Sequence, residues 1–154
     1  MGVDTRGYVE KNWKRFLDDC FLLFKGSESD ILKIRDILNN LDPSLQFTME
    51  TDSKQLHFLD VNVIIEDSGD IHTDLYSKPT DSHQYLDFRS CHPAHTKRNI
   101  PYCLARRICA IVSKDEWKEN RLYELKQFLL HQNYPESLID DSITRSLKLD
   151  KEIG

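Results

Sequence analysis

Near the start of the chain, two short apolar runs flank a pair of aspartates. Residues 13–17 and 20–24 are rich in β-prone side chains, and only Asp18 and Asp19 separate them. A two-residue polar break between such runs is typical of a tight hairpin. The pattern therefore predicts a β-hairpin that carries both carboxylates at its tip.

The following segment has helical spacing. Apolar residues recur every three or four positions from Ile31 to Leu41, and Ser27 and Asp30 form a partial capping box in front of them. Asp42-Pro43 ends the pattern. We expect an amphipathic helix of about three turns.

Apolar and polar residues then alternate in residues 45–49, 61–65 and 71–75. A turn sequence, Asp-Ser-Gly-Asp at residues 67–70, separates the last two segments. Because alternation with a period of two is the mark of a half-buried strand, we predict three further strands.

Beyond about residue 82 the apolar period changes from two to 3.6. The first helix of this part is predicted to begin near Asn99, with Pro101 in its first turn. We expect one side to be buried and the arginines to face solvent: Leu104, Ile108 and Ile111 on the first side, and Arg106 and Arg107 on the second.

Two more helices are predicted after it. The second has a complete capping box from Ser113 to Glu116 and ends at Gln132-Asn133, and the third opens with Pro135 in its first turn. The short connection between them has the rhythm of a helix-turn-helix motif.

These elements predict an α+β protein with two domains. Residues 1–87 would hold the hairpin, the helix and the antiparallel strands, and residues 88–154 would form a three-helix bundle of helix-turn-helix type.

Composition limits the function classes. The chain has 154 residues, of which 39% are hydrophobic, so it can bury a core. Its longest uninterrupted apolar stretch, residues 20–24, is far shorter than the roughly 20 residues that span a bilayer. The N-terminus has no apolar signal core, so we expect an intracellular protein, in the nucleus rather than the cytoplasm.

The charge is unevenly distributed. The formal net charge is -5, yet residues 88–114 contain six Lys/Arg and no Asp/Glu. We call this segment the basic island. Its cations are candidate contacts for DNA or RNA phosphates, and pairing with acidic neighbours is the alternative: Arg89, Lys97, Arg98, Arg106, Arg107 and Lys114.

The two adjacent carboxylates of Asp18 and Asp19 repel each other, and a cation would remove that cost. Mg²⁺ is usually held by one or two carboxylates together with substrate phosphates. The pair is therefore a candidate half-site for Mg²⁺, and a solvated turn is the alternative.

Phe16-Leu17-Asp18-Asp19 resembles the aromatic-x-Asp-Asp catalytic hairpin of reverse transcriptases. The likeness continues through Leu45–Glu50, Phe58–Val61, Leu75–Asp81, Cys91–His95 and Ile100–Tyr102. In this order, over roughly residues 12–150, the motifs resemble the downstream part of the reverse transcriptases of Penelope-like retroelements.

The resemblance implies that Asp18 is a ligand of catalytic Mg²⁺ and that Asp19 is its less directly involved neighbour. The strands would be a palm remnant, and the helices after residue 96 would be the thumb, where animal members are similar to a helix-turn-helix domain. The basic island would face the template-primer. Because the family takes another aspartate from an upstream strand, we expect a truncated fragment that is inactive alone.

Other readings stay open. The chain could be a stand-alone helix-turn-helix DNA-binding module with a β extension, or an interaction module without a nucleic-acid role. A zinc site would need the thiols and imidazoles of Cys91, His92, His95, Cys103 and Cys109, whose spacing matches no paired zinc signature. A hydrolase built on residues 80–83 lacks a nucleophile elbow.

Overall fold

The computed structural model describes residues 12–153. Their strands are β1 (Trp13–Phe16), β2 (Asp19–Leu22), β3 (Gln55–Phe58), β4 (Val61–Ile65) and β5 (Ile71–Leu75). The helices are α1 (Glu28–Leu41), α2 (Ala94–Ile111), α3 (Asp115–His131) and α4 (Glu136–Ile153). Two small antiparallel sheets and these helices make the fold α+β, as predicted. No helix in this range combines the length and apolar character that a membrane crossing needs.

The chain divides into two compact units, with the boundary between Asp52 and Ser53. The first unit contains the β1–β2 hairpin and α1. The second contains the β3–β4–β5 sheet together with the three C-terminal helices, so the sheet and the bundle form one unit. The predicted division into domains of residues 1–87 and 88–154 stays a prediction.

The hairpin is confirmed, with its turn one residue earlier than predicted. Phe16 pairs with Asp19, so the turn consists of Leu17 and Asp18, and Asp19 begins β2. Leu17 takes a left-handed backbone angle (φ 52°), and the Nε of Arg15 donates to its carbonyl (2.7 Å). A two-residue hairpin turn requires such an angle, which places the turn at this pair.

Helix α1 begins as predicted. The Ser27 hydroxyl accepts from the Asp30 N–H, and the Asp30 carboxylate accepts from the Ser27 N–H, both at 3.3 Å, which completes the capping box. The helix ends at Leu41, immediately before Asp42-Pro43.

The predicted strand at residues 45–49 is wrong. Among residues 12–153 this segment has no strand partner, because the side-chain amide of Asn39 on α1 bonds the backbone of Phe47 in both directions (2.5 and 3.2 Å). Pattern reading also missed β3, which pairs with β4 across a turn at Leu59-Asp60. The other two strands, β4 and β5, are confirmed.

Helix α2 begins at Ala94, five residues before the predicted start, so Pro101 lies inside the helix rather than in its first turn. Pro101 is fully buried there, and its packing offsets the missing backbone donor. Ile108 is buried as predicted, whereas Leu104 and Ile111 are only partly buried. Arg106 was expected to face solvent, but it is half-buried and donates to the Ser146 carbonyl on α4 (3.2 Å).

The predicted capping box at the start of α3 is wrong. Lys114 is the N-cap residue, with no side-chain cap. The Ser113 hydroxyl instead accepts from the Thr73 N–H on β5 (3.0 Å), and the Ser113 N–H donates to the Thr73 carbonyl (3.0 Å). Ser113 therefore bonds the edge strand β5, and its hydroxyl oxygen is occupied.

Helix α3 ends at His131 as expected, and α4 begins at Glu136, one residue after Pro135. Asn133 turns the chain with a left-handed angle (φ 66°), and the buried Tyr134 donates its N–H to Leu129 (3.1 Å). The core of the second unit lies between α2, α3 and α4: Ala105, Ile108, Cys109, Val112, Leu122, Leu125, Leu129, Tyr134 and Ile139.

Candidate nucleic-acid interface

The basic island forms α2 and the loops at its two ends. The first turn of α2 carries no acidic residue, and its N-cap residue, Pro93, makes no side-chain cap. The backbone N–H groups and the positive dipole end of α2 therefore meet no carboxylate of their own helix there.

Three cations of the basic island lie in the first turns of α2 or in the loop just before it. Arg89 and Arg98 are exposed, and the structure gives neither guanidinium an ion-pair partner among residues 12–153. Lys97 is half-buried, donates to the Ser90 carbonyl (2.7 Å) and lies over the Phe88 ring (5.4 Å). His92 and His95 are also exposed here. We call Arg89, Lys97 and Arg98 the basic end of α2.

One carboxylate lies beside this end. Asp87 accepts from the Arg89 N–H (2.7 Å) and from the Asn133 side-chain amide (2.9 Å). The Arg89 N–H is the main reason why the pKa of Asp87 is lowered, with smaller contributions from Asn133 and the two cations. The Phe88 N–H also donates to the Gln132 carbonyl (3.1 Å), so this loop is fixed to the α3–α4 turn.

The other three cations of the basic island are engaged within the protein. Arg107 pairs with Asp60 through Nη2 (2.6 Å) and Nε (2.8 Å). Lys114 pairs with Glu66 and lies over the Trp117 ring (4.7 Å). Arg106 bonds the Ser146 carbonyl. Toward the C-terminal end of α2 the structure therefore favours the alternative, in which the cations pair with neighbouring groups of the protein.

Helix α4 is the second helix of the predicted helix-turn-helix motif, and its first turns are acidic. Lys126 on α3 pairs with both Glu136 and Asp140 (2.8 Å each), and these bonds raise the pKa of Lys126. The sequence analysis did not identify Lys126 as the cation that pairs with these carboxylates. The only signal in the sequence was the short turn that makes α3 and α4 antiparallel neighbours. Arg145 lies over the Tyr102 ring (4.7 Å).

Asp18 and Asp19 are both exposed on the hairpin. Among residues 12–153 no three His, Cys, Asp or Glu side chains come together in a way that could hold a metal ion. Within this range, the hairpin carboxylates therefore gain no third acidic ligand. The thiols and imidazoles considered for zinc lie in the same range and form no such group; Cys91, His92, His95 and Cys103 are exposed, and Cys109 is buried.

Comparison with known proteins identifies one part of the chain. Residues 84–144 match the family model of the animal helix-turn-helix domain. The match covers the Asp87 loop, all of α2 and α3, and the first half of α4. No curated protein and no solved structure was found that matches the chain. Residues 84–144 are therefore similar to the animal helix-turn-helix domain, and we call them the helix-turn-helix region.

Proposed function

We propose that the chain binds the sugar-phosphate backbone of DNA or RNA through the basic end of α2. The observation that carries this proposal is the placement of Arg89, Lys97 and Arg98 at a helix N-terminus, inside the helix-turn-helix region, without an ion-pair partner for either arginine among the described residues. Cations and free backbone N–H groups at a helix start suit phosphate oxygens.

Sequence preference is expected to be weak. Direct readout needs side chains that reach base edges, and arginine or lysine on guanine is the commonest pair. The first turns of α4 carry Glu136, Asp140 and Asp141, and its basic residues, Arg145, Lys148 and Lys151, lie further along. Backbone contacts position a protein on nucleic acid but carry no base information.

The test is the salt dependence of binding. Fluorescence anisotropy would compare DNA duplexes and RNA–DNA hybrids of equal length and different sequence. Because each phosphate contact adds about -0.9 to the slope of log K against log salt, Arg89→Gln/Arg98→Gln should flatten the slope by about 1.8 for every sequence.

A matched control removes two exposed lysines elsewhere. Lys33→Gln/Lys151→Gln lowers the net charge by the same amount and should leave the slope near that of the wild type. Equal flattening by both pairs of changes, or strong discrimination among the duplexes, would contradict the proposal.

The finer proposal is that the chain is a piece of a Penelope-like reverse transcriptase, the end of the palm and a helical thumb. It is supported by the order of the motifs and by the hairpin that carries Asp18 and Asp19. Exposed apolar side chains on the first unit suit the packing of further polymerase segments: Phe16, Leu17, Ile37, Leu41 and Leu45. In this proposal the hairpin supplies only part of the two-metal site, so the piece is inactive alone, and a nuclear location is expected.

Asp18 would then bind Mg²⁺ weakly, with Asp19 beside it, because one or two carboxylates without substrate phosphates make a partial site. Titration with Mg²⁺ should shift NMR signals only near these two residues, and Asp18→Asn should abolish the shifts. Asp67→Asn, at another exposed aspartate, serves as the control. Shifts that survive Asp18→Asn would count against the assignment.

A stand-alone DNA-binding module that reads sequence through α4 is the second candidate, favoured by the match of residues 84–144. Selection from a random duplex pool separates the two candidates. A recovered consensus that Arg145→Ala or Lys148→Ala relaxes would support base reading, whereas an unenriched pool supports backbone binding.

A further inference from the structure

A cavity of about 460 Å³ opens within the second unit, between β4, β5 and the chain that follows β5 on one side and α2 and α3 on the other. Its size falls within the roughly 300–1,000 Å³ range of small-molecule sites. Nothing in the proposed backbone contacts uses it, because the basic end of α2 does not line it.

Aromatic rings with fixed positions form part of the wall. Tyr76 stacks on His57 (ring centroids 4.1 Å apart, 12° between planes), and Phe128 stacks on His83 (4.4 Å, 17°). Tyr85 is half-buried beside them, and burial is the main reason why its pKa is raised. Because stacking fixes the positions of these rings, and aliphatic side chains line the same cavity, the wall suits the face of a flat, largely apolar ligand.

Three polar residues also belong to the wall of this cavity. Asn62, Ser77 and Tyr85 line the cavity, and none of them makes a side-chain hydrogen bond with another residue of the described range. A primary amide both donates and accepts, so Asn62 can bond two adjacent positions on the edge of a heterocycle.

The charges in the wall are already paired. Arg107 is bound to Asp60, and Arg121 makes two bonds to Asp74 and one to Glu124. An anionic group would have to displace these carboxylates, whereas a neutral ligand leaves the pairs intact. The cavity therefore selects for a neutral ring with hydrogen-bonding edges.

We infer that this cavity binds an unstacked nucleobase, with the ring against the aromatic wall and its edge on Asn62. The base has two possible sources, and one is a single strand whose phosphates lie on the basic end of α2. For this source the inference deepens the proposed function and rests on it. A free nucleoside is the other source of the same chemistry.

The experiment measures binding by ¹⁵N NMR of the whole chain with defined probes. Adenosine and uridine should shift signals of the cavity residues, and ribose 5-phosphate, which has no base, should not. Asn62→Ala and Tyr85→Leu should each weaken nucleoside binding by roughly tenfold, the usual size of a base-edge pair or a stacking contact. A dispersed spectrum shows that each variant is folded.

Two further measurements distinguish the two sources of the base and separate the cavity inference from the proposed backbone binding. A hexanucleotide that competes with adenosine, while the same strand without bases does not, identifies the single strand; no competition identifies a free nucleoside. Arg98→Gln should leave adenosine binding unchanged, because adenosine has no phosphate. Loss of backbone binding in this variant therefore says nothing against nucleoside binding in the cavity. No shift with nucleosides, equal shifts with ribose 5-phosphate, or unchanged affinity in Asn62→Ala would overturn the inference.

Discussion

At the residue scale, acidic partners determine which cations of the basic island are available. Arg107 and Lys114 belong to the most basic part of the chain, yet carboxylates of the second sheet hold both. Arg89 and Arg98 lie on the same helix or the loop before it and keep their charge exposed. Charge density in the sequence therefore overstates the surface that can contact phosphate.

Asp60→Asn should release Arg107 and increase non-specific affinity for a duplex. The pair is half-exposed, so its loss should change the free energy of unfolding by about 1 kcal/mol at most. With one more cation available, the slope of log K against log salt should steepen by about 0.9. Anisotropy titrations measure the affinity and the slope.

Glu119→Gln is the matched control, because it removes the same charge from an exposed residue of α3 that makes no ion pair among the described residues. An equal rise in affinity in both variants would show that net charge, rather than the release of Arg107, is responsible.

The pair of Asp74 and Arg121 is buried more deeply and ties β5 to α3. Burial alone would raise the pKa of Asp74, but hydrogen bonds from Arg121 and the Leu75 N–H outweigh it, so the pKa is lowered. A carboxyl with a lowered folded-state pKa stabilises the fold above its unfolded value, about 3.9, and this contribution is lost as pH falls through the folded value.

Arg121→Met should reduce the free energy of unfolding by about 2 kcal/mol at pH 7, because it leaves the buried Asp74 carboxylate without its cation. At pH 3.5 the difference from the wild type should shrink, since Asp74 is then largely protonated in the variant. Urea denaturation at both pH values measures this. Arg145→Met, at an exposed pair, should cost less than about 0.5 kcal/mol, and a loss for Arg121→Met that is independent of pH would rule out this explanation.

At the element scale, the start of α3 shows how a local signal loses to a distant partner. The Ser113–Glu116 spacing has the form of a capping box, but the Ser113 hydroxyl bonds β5 instead. The two bonds between Ser113 and Thr73 join residues 40 positions apart, a separation that no local rule addresses.

Ser113→Ala should therefore weaken the sheet contact rather than the helix. The Thr73 amide loses its acceptor, and the free energy of unfolding should fall by about 1 kcal/mol. Hydrogen exchange should speed up at Thr73 and stay unchanged in the first turn of α3. Glu116→Gln is the matched change and should have no effect at either place; faster exchange confined to α3 would restore the capping interpretation.

At the scale of the whole molecule, the core lies in the second unit. The buried apolar residues are those of the helical bundle, whereas α1 in the first unit has no fully buried residue. The hairpin with Asp18 and Asp19 thus belongs to the less buried unit, and the backbone-binding surface belongs to the better packed one.

We expect no primer extension by this chain with Mg²⁺, a primed template and nucleotides. Two-metal catalysis needs carboxylates that clamp both the attacking and the leaving oxygens, and the hairpin with Asp18 and Asp19 supplies only part of such a site. A primer-extension assay with an active reverse transcriptase as positive control tests this. Robust extension that Asp18→Ala abolishes would refute the fragment reading.

Much of the fold could be predicted because it follows from short-range patterns. The hairpin, the Ser27 cap of α1, strands β4 and β5 and the end of α3 were all evident in spans of a few residues. The strand predicted at residues 45–49 failed because the side chain of Asn39 bonds the backbone that a neighbouring strand would have bonded.

The sequence by itself determined the class of the fold, the order of most elements and the position of the basic island, because periodicity, caps and charge counts depend only on neighbours in the chain. The tertiary structure decided which cations stay free, where Ser113 bonds and how the cavity is lined. Those outcomes depend on contacts between residues that lie tens of positions apart, such as Arg107 and Asp60. Only the packing of the sheet against the helices determines which distant residue is close enough to bond.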